Sequence, residues 1–447
     1  MNRVLFIFIL MIGNYTLTYD ADTQELIAQA SIEEKKGNFS TASVLLTQAY
    51  NKNPNNTLLA YKVACFYASI GSTELALDVF KKLLQTSPHN VVQTMYNIGY
   101  ICKSTGKIDQ AIYWYKKALE IDPNYEPAEF AIGLAYLNKG NFKQGWKIHE
   151  NHLIKKSKNS EILRSLIEKN SLKNKIILIR PDGGMGDTIQ FIRYARLLKE
   201  LGAYTIAAAQ EPLIPLLKRC PYLDEVVSVN SPLPACHDWC AVMSLPSIFN
   251  STQETIPLNI PYLYPDEQRC KYWKQFLKKN TINVGICWQA DVHNDSSRPP
   301  FARRGIPLEE LITLSSIEHV QLYSLQQKDG LEQIKNNVHS QKLITFDSTF
   351  DTLYGPFMDT AALMSHIDLV ITVDTAVAHL AGALGSRVWL LLPYCTDWRW
   401  IVGRSDSPWY PSMKIFKQPK PFDWKSVIHE VQEELVKLVM EKIYDSK

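Results

Sequence analysis

Residues 368–385 read DLVITVDTAVAHLAGALG, and the reading of this stretch decides the fold. Leu369-Val370-Ile371-Thr372-Val373 is an unbroken apolar, β-branched run, the kind that lies buried in a parallel sheet. Asp374-Thr375-Ala376 follows, and then a small-residue helix over 377–384 that Gly385 stops. A helix starting at the carboxyl end of such a strand aims unpaired N–H groups and the positive end of its dipole into a crevice. An anion fits there, and a diphosphate fits well. Asp374 and His379 are costly at such a junction unless they are paired or used. The plainer alternative is a well-packed strand–helix unit without a ligand.

Working outward, the same strand-then-helix rhythm fills the second half of the chain. Strands are expected at 175–180, 204–209 and 226–229, and again at 282–288, 320–325, 343–346 and 388–392. The first strand runs into a glycine-rich turn, Pro181-Asp182-Gly183-Gly184-Met185-Gly186-Asp187, and an amphipathic helix over 188–201. Strands alternating with helices imply parallel sheets. Two such halves, 175–265 and 281–420, joined near 257–279, predict two Rossmann-like domains facing across a cleft, closed by a helix over 424–444 within the last segment, 421–447. The glycine turn is not a dinucleotide fingerprint, because Ile189 stands where Gly or Ala is needed. It is not a P-loop either, because no Gly-Lys-Ser/Thr follows. What it does place is an acid, Asp187, at a helix start that should face the same cleft as Asp374. The expectation is that these two carboxylates look at each other over a shared, roomy gap.

The first third has a different period. Gly37, Gly71, Gly106 and Gly140 recur at spacings of 34, 35 and 34; Ala42, Ala76, Ala111 and Gly145 keep the same phase, and Pro54, Pro88 and Pro123 follow. Apolar residues at helical spacing lie between them. The pattern over 23–156 resembles about four tetratricopeptide repeats: paired helices stacked into an α-solenoid with a concave face that takes peptide or protein segments. A purely structural spacer is the other reading. A polar helix over 157–174 leads into the sheet domains.

Composition narrows the rest. Hydrophobic residues make up 46% and charged residues 21% of 447, with a net charge of +3. No basic block marks a nucleic-acid surface. The eight cysteines are scattered; the close pair Cys236 and Cys240 matches no common zinc spacing, and all eight are expected as reduced thiols with no metal. An apolar run at 4–12 after Arg3 is of signal-peptide length but too short to span a bilayer, and no good cleavage site follows. Residues 1–22 are therefore left as a signal-like or extension segment. The expected location is cytoplasmic, with export as the alternative, and no stable membrane insertion.

Taken together, GGMGDTIQFIRYARLL (183–198), VGICWQ (284–289), RRGIPLEEL (303–311), YSLQ (323–326), DTAALMSHIDLVITVDTAVAHLAGALG (359–385) and DWRWIVGRSDSPWYP (397–411) resemble the heptosyltransferase-like glycosyltransferases of family nine, in particular those carrying N-terminal tetratricopeptide repeats. The resemblance implies a GT-B fold, transfer of a sugar from a nucleotide-linked donor with inversion, and no cofactor or bound metal. It implies Asp187 as the base; a first-turn carboxylate stabilising its helix is the alternative role. It implies donor contacts by Gly184, Met185, Gly186, Arg304, Asp374, Thr375, Ala376 and His379, with Arg303 and Gln326 as further candidates. Arg304 should grip phosphate, Asp374 sugar hydroxyls, and Gln326 base or ribose. His379 is equally readable as a satisfied core histidine. Trp398, Arg399, Arg404, Trp409 and Tyr410 are placed at the sugar or acceptor. Two departures separate the chain from lipopolysaccharide heptosyltransferases: Ala376 replaces the Gly that usually follows Asp-Thr, and repeats are present. The expected partners are a nucleotide sugar and a protein or peptide acceptor on the repeats. The rival readings are a non-catalytic scaffold with a vestigial nucleotide-binding half, and a glycan- or lipopolysaccharide-building transferase.

Overall fold

The computed structural model describes residues 20–87, 90–154 and 160–444. The signal-like run at 4–12 and Pro88 lie outside the described residues.

Eight helices form four antiparallel pairs: α1 (Ala21–Lys35) with α2 (Phe39–Lys52), α3 (Thr57–Ser69) with α4 (Thr73–Thr86), α5 (Val91–Ser104) with α6 (Ile108–Ile121), and α7 (Glu126–Asn138) with α8 (Phe142–Ile154). The recurring glycines make the turn inside each pair. Gly37, Gly71, Gly106 and Gly140 sit at φ 82°, 79°, 78° and 80°, a left-handed conformation that strains any residue with a Cβ. The small residues in phase with them lie at the helix crossings. Ala42, Ala76 and Ala111 are fully buried, and a Cβ on Gly145 would meet Leu137 Cδ2 at 2.6 Å.

The first sheet domain holds β1 (Ile176–Arg180), β2 (Tyr204–Ala209), β3 (Glu225–Ser228) and β4 (Asp238–Ala241), all parallel, in the order β3-β2-β1-β4. The second holds β5 (Ile282–Cys287), β6 (Val320–Ser324), β7 (Leu343–Ile344), β8 (Leu369–Val373), β9 (Val388–Leu392) and β10 (Met413–Lys417), ordered β10-β9-β8-β5-β6-β7. Counted within its own domain, the second order is 6-5-4-1-2-3, the doubly wound Rossmann arrangement, and the first domain is its four-strand abbreviation. The chain is thus a helical solenoid followed by a GT-B pair, as the sequence predicts. Strands β4 and β10 are additions to that reading. The helix expected over 188–201 starts earlier, at Met185, and is broken: a 3-10 turn at Ile192–Tyr194 separates Met185–Phe191 from Ala195–Glu200. The closing helix, Trp424–Val439, ends in a π turn and buries Val431 and Leu435 on the second sheet domain.

One aromatic joint ties the three parts together. Phe142 and Trp146 of α8 pack on Phe191 of the first sheet domain and on Trp398 and Trp409 of the second. Phe142 stacks on Trp409 at 5.4 Å, and Trp146 meets Trp398 edge-on at 5.2 Å. Arg193 locks the two sheet domains from inside. Its fully buried guanidinium donates to the carbonyls of Gln190 (2.8 Å) and Trp409 (2.7 Å) and to the Tyr262 hydroxyl (3.0 Å), between the Tyr262 and Tyr410 rings. No helix among the described residues is long and apolar enough to cross a membrane.

Candidate active site

In a doubly wound sheet a ligand crevice opens where the strand order reverses, beyond the carboxyl ends of the strands. Here the reversals fall between β1 and β4 and between β5 and β8. The glycine turn leaves β1, and Asp374-Thr375 leaves β8, so both motifs singled out in the sequence sit at switch points.

Beyond β8, Thr375 caps the helix Ala376–Leu384: its Oγ1 accepts the Val377 N–H at 3.3 Å, and Gly385 ends the helix at φ 79°. Asp374 is 7% exposed. Its backbone carbonyl accepts from Arg304 Nη1 at 2.8 Å, while Arg304 Nε donates to Asp295 Oδ1 at 3.0 Å. Arg304 thereby staples the short helix Val292–Ser296 to the β8 turn. Burial pushes the Asp374 carboxyl up, against the pull of Arg304. Burial also opposes the charge on Arg304, but Asp374 and Asp295 outweigh it and hold the guanidinium protonated. Arg303 is exposed.

Beyond β1, Gly184 is the N-cap of Met185–Phe191 and Asp187 is its third helical residue. Asp187 Oδ2 accepts the Gly184 N–H at 2.6 Å, and Oδ1 forms an ion pair with Arg399. Arg399 comes from the loop after β9; it also donates to Gln190 Oε1 (2.7 Å) and Asp397 Oδ1 (2.8 Å). Burial works against its charge, but Asp397 and then Asp187 hold it protonated. The two helix starts pack on each other directly. A Cβ on Gly186 would lie 2.9 Å from His379 Cδ2 and 3.7 Å from the Ala376 Cα. His379 is buried against Trp400, with Nδ1 2.9 Å from the Tyr410 hydroxyl, and burial with the nearby Arg399 charge depresses it to about 3. It is a neutral imidazole held inside the fold.

The open space lies beside this contact. A cavity of about 110 Å³, open to solvent on one side, is walled by all three parts of the chain. The first sheet domain supplies Gly183, Asp187 and Met243; the second supplies Asn294, Ser297 and Arg298 with the Asp397–Arg399 loop; the repeats supply Tyr100, Lys103, Phe130, Leu134 and His149. Asp187 and Asp374 therefore do not face each other over one gap. Asp187 lines the cavity, Asp374 is buried away from its wall, and Arg399 connects them, its charge acting on both.

Several expected site residues lie away from the cavity wall, with their side chains buried or paired elsewhere. Gln326 has a saturated amide: its Oε1 accepts from the Trp288 and Gln289 N–H groups at 2.9 Å each, and its Nε2 donates to the Gln289 and Asp329 carbonyls. Trp409 and Tyr410 are fully buried, the first in the three-part aromatic joint and the second against His379 and Arg193. Arg404 is spent on an exposed pair with Asp406 and on Gln253. Trp398 and Arg399 do reach the cavity. The reading missed Asp397, Arg298 and the repeat wall. It also left Asp182 unassigned within the glycine turn. Asp182 Oδ1 accepts the Met243 N–H at 3.2 Å; Oδ2 is sealed from solvent with no hydrogen bond among the described residues. Burial, reinforced by the Asp187 charge, pushes the Asp182 carboxyl up to about 7.

Protein FlbA of Caulobacter vibrioides is 23% identical over 418 residues, which cover 88% of this chain and 69% of that protein. Among solved structures, a family 9 glycosyl transferase from Veillonella parvula covers 61% of this chain and 99% of its own, at 12% identity and a TM-score of 0.43. The Escherichia coli ADP-heptose lipopolysaccharide heptosyltransferase II covers 60% and 99%, at 15% identity and 0.41. A MamA protein covers 29% of this chain and 70% of its own, at 21% identity and 0.26. Residues 99–140 match the model of the TPR repeat, and residues 326–396, which contain β8 and the Ala376 helix, match that of glycosyltransferase family 9 (heptosyltransferase).

Proposed function

We propose that this protein is an inverting glycosyltransferase that moves a sugar from a nucleotide-linked donor to a polypeptide acceptor, in the cytoplasm where such donors are made. The observation that carries the reading is the shared cavity. It sits at the paired switch points, has an acid on one wall, and has part of the helical repeats for another. The acceptor hydroxyl attacks the anomeric carbon, the bond from that carbon to the phosphate oxygen breaks, and the nucleoside diphosphate leaves with the electron pair. Asp187 takes the hydroxyl proton; its N-cap bond and its pair with Arg399 hold the carboxylate at the wall. Arg298, on the cavity wall, answers the charge gained by the leaving group, so the chemistry needs no bound metal in this reading.

The cavity is smaller than the roughly 300 Å³ at which ligand pockets begin. In this reading it holds the reacting groups, and the rest of donor and acceptor extends through the open side. The deciding experiment incubates the protein with a panel of nucleotide sugars and follows release of nucleoside diphosphate. Release that Asp187→Asn abolishes supports the reading; no release from any donor, with no thermal shift by any nucleoside diphosphate, refutes it.

A further inference from the structure

The repeats do more than stand beside the cavity. The end of α5 lies against the second sheet domain, where Tyr100 packs with Phe301, Ala302 and Cys395, and Gly106 approaches Val402. This contact carries Lys103, in the last turn of α5, into the cavity wall that Asn294, Ser297 and Arg298 share. The charges around the cavity are otherwise matched. Arg399 is paired with Asp187 and Asp397, Arg304 with Asp295, and Arg298 lies 3.6 Å from Asp295. Lys103 has no carboxylate within ion-pair distance among the described residues; its ammonium rests 5.5 Å from the centre of the Tyr100 ring. Arg298 is close enough for its charge to act on the same Tyr100. Among the described residues the cavity therefore holds one cation in excess, on a four-carbon stem that can swing from an aromatic face to a ligand.

We propose that Lys103 belongs to the donor site: with Arg298 it grips the diphosphate of the nucleotide-linked sugar, so that the repeat array completes the active site. This rests on the glycosyl-transfer reading above. It makes donor affinity depend on a residue that the sheet domains do not carry, and gives the fusion of repeats to enzyme a catalytic reason distinct from acceptor capture.

The test measures binding of inorganic pyrophosphate and of ADP, UDP and GDP to the full-length wild-type protein, Lys103→Met and Lys103→Arg, by titration calorimetry and thermal shift. Met keeps the stem and removes the charge; Lys103→Arg keeps the charge and controls for folding. The best wild-type ligand is expected to lose about tenfold in affinity in Lys103→Met, to stay within about threefold in Lys103→Arg, and to show a shallower salt dependence in Lys103→Met. Equal binding by wild type and Lys103→Met overturns the proposal. If the wild type binds none of the four, the glycosyl-transfer reading itself falls, and the Lys103 assignment falls with it.

Discussion

Arg399 holds Asp187 by an ion pair that crosses from one sheet domain to the other, and the same guanidinium grips Asp397 on its own loop. The acid at the cavity wall is thus positioned by the partner domain, while its other oxygen caps its own helix. The first-turn carboxylate role named for Asp187 in the sequence is present in the geometry, and the proposed base role is for kinetics to decide. Asp187→Asn is expected to cut sugar transfer at least 100-fold, a loss of roughly the size a general base supplies, while costing about 1–2 kcal/mol of stability through the weakened cap and pair. Transfer rates together with a denaturant titration decide it. A variant that loses stability but transfers at the wild-type rate makes Asp187 a cap and nothing more.

Gly186 is where the two switch-point helices touch. A methyl carbon added there would lie 2.9 Å from His379 Cδ2, so Gly186→Ala must displace a buried ring that is stacked on Trp400 and bonded to Tyr410. The expected cost is about 1–3 kcal/mol, as for other overpacked cores. Activity should fall further than stability, because the Asp187 helix shifts with it. An unchanged urea midpoint means that the junction is softer than its packing indicates.

The parts legible in the sequence were those whose signal is local. β8 and its helix are announced by a β-branched run followed by small residues, and the solenoid by glycines that must take positive φ. Strand β4 escaped because Asp238-Trp239-Cys240-Ala241 is four residues long and opens with an acid, buried here at 5% exposure. In the segment 397–411 tryptophans serve a core and a sugar platform equally well; only their neighbours decide, and for Trp409 those neighbours are Phe142 and Phe191, far apart in the chain. The repeat wall of the cavity was not legible at all. It exists because α5 and α7 dock on a distant domain, and no periodicity encodes that.

That docking makes the repeats part of the protein's core. Removing residues 1–159 strips Phe142 and Trp146 from Phe191, Trp398 and Trp409 and leaves a large apolar face in water. The truncated chain is expected to aggregate or to unfold without a cooperative transition, by light scattering and calorimetry. A soluble, active 160–447 fragment with a sharp transition means that the repeats are a detachable recruiting arm. Trp409→Ala in the full chain probes the same joint more gently, with an expected loss of about 3–5 kcal/mol.

Two buried groups set opposing pH dependences. Asp182 is pushed up to about 7, so the folded chain keeps a proton there that the unfolded chain releases near 4; this contribution to stability is complete below that pH and is lost as pH rises towards 7. His379 is depressed to about 3, so the unfolded chain takes up a proton near 6.5 that the folded chain refuses; this contribution is complete above 6.5 and is lost as pH falls towards 3. Between about pH 4 and 6.5 the two slopes have opposite sign and largely cancel. Asp182→Asn removes one of them. Its stability, measured by denaturant titration at half-unit steps, should therefore rise steadily with pH across that window, by on the order of a few kcal/mol, while the wild type stays comparatively flat. Parallel pH curves for the two proteins would show that Asp182 is ionised in the fold, with a partner for its sealed oxygen.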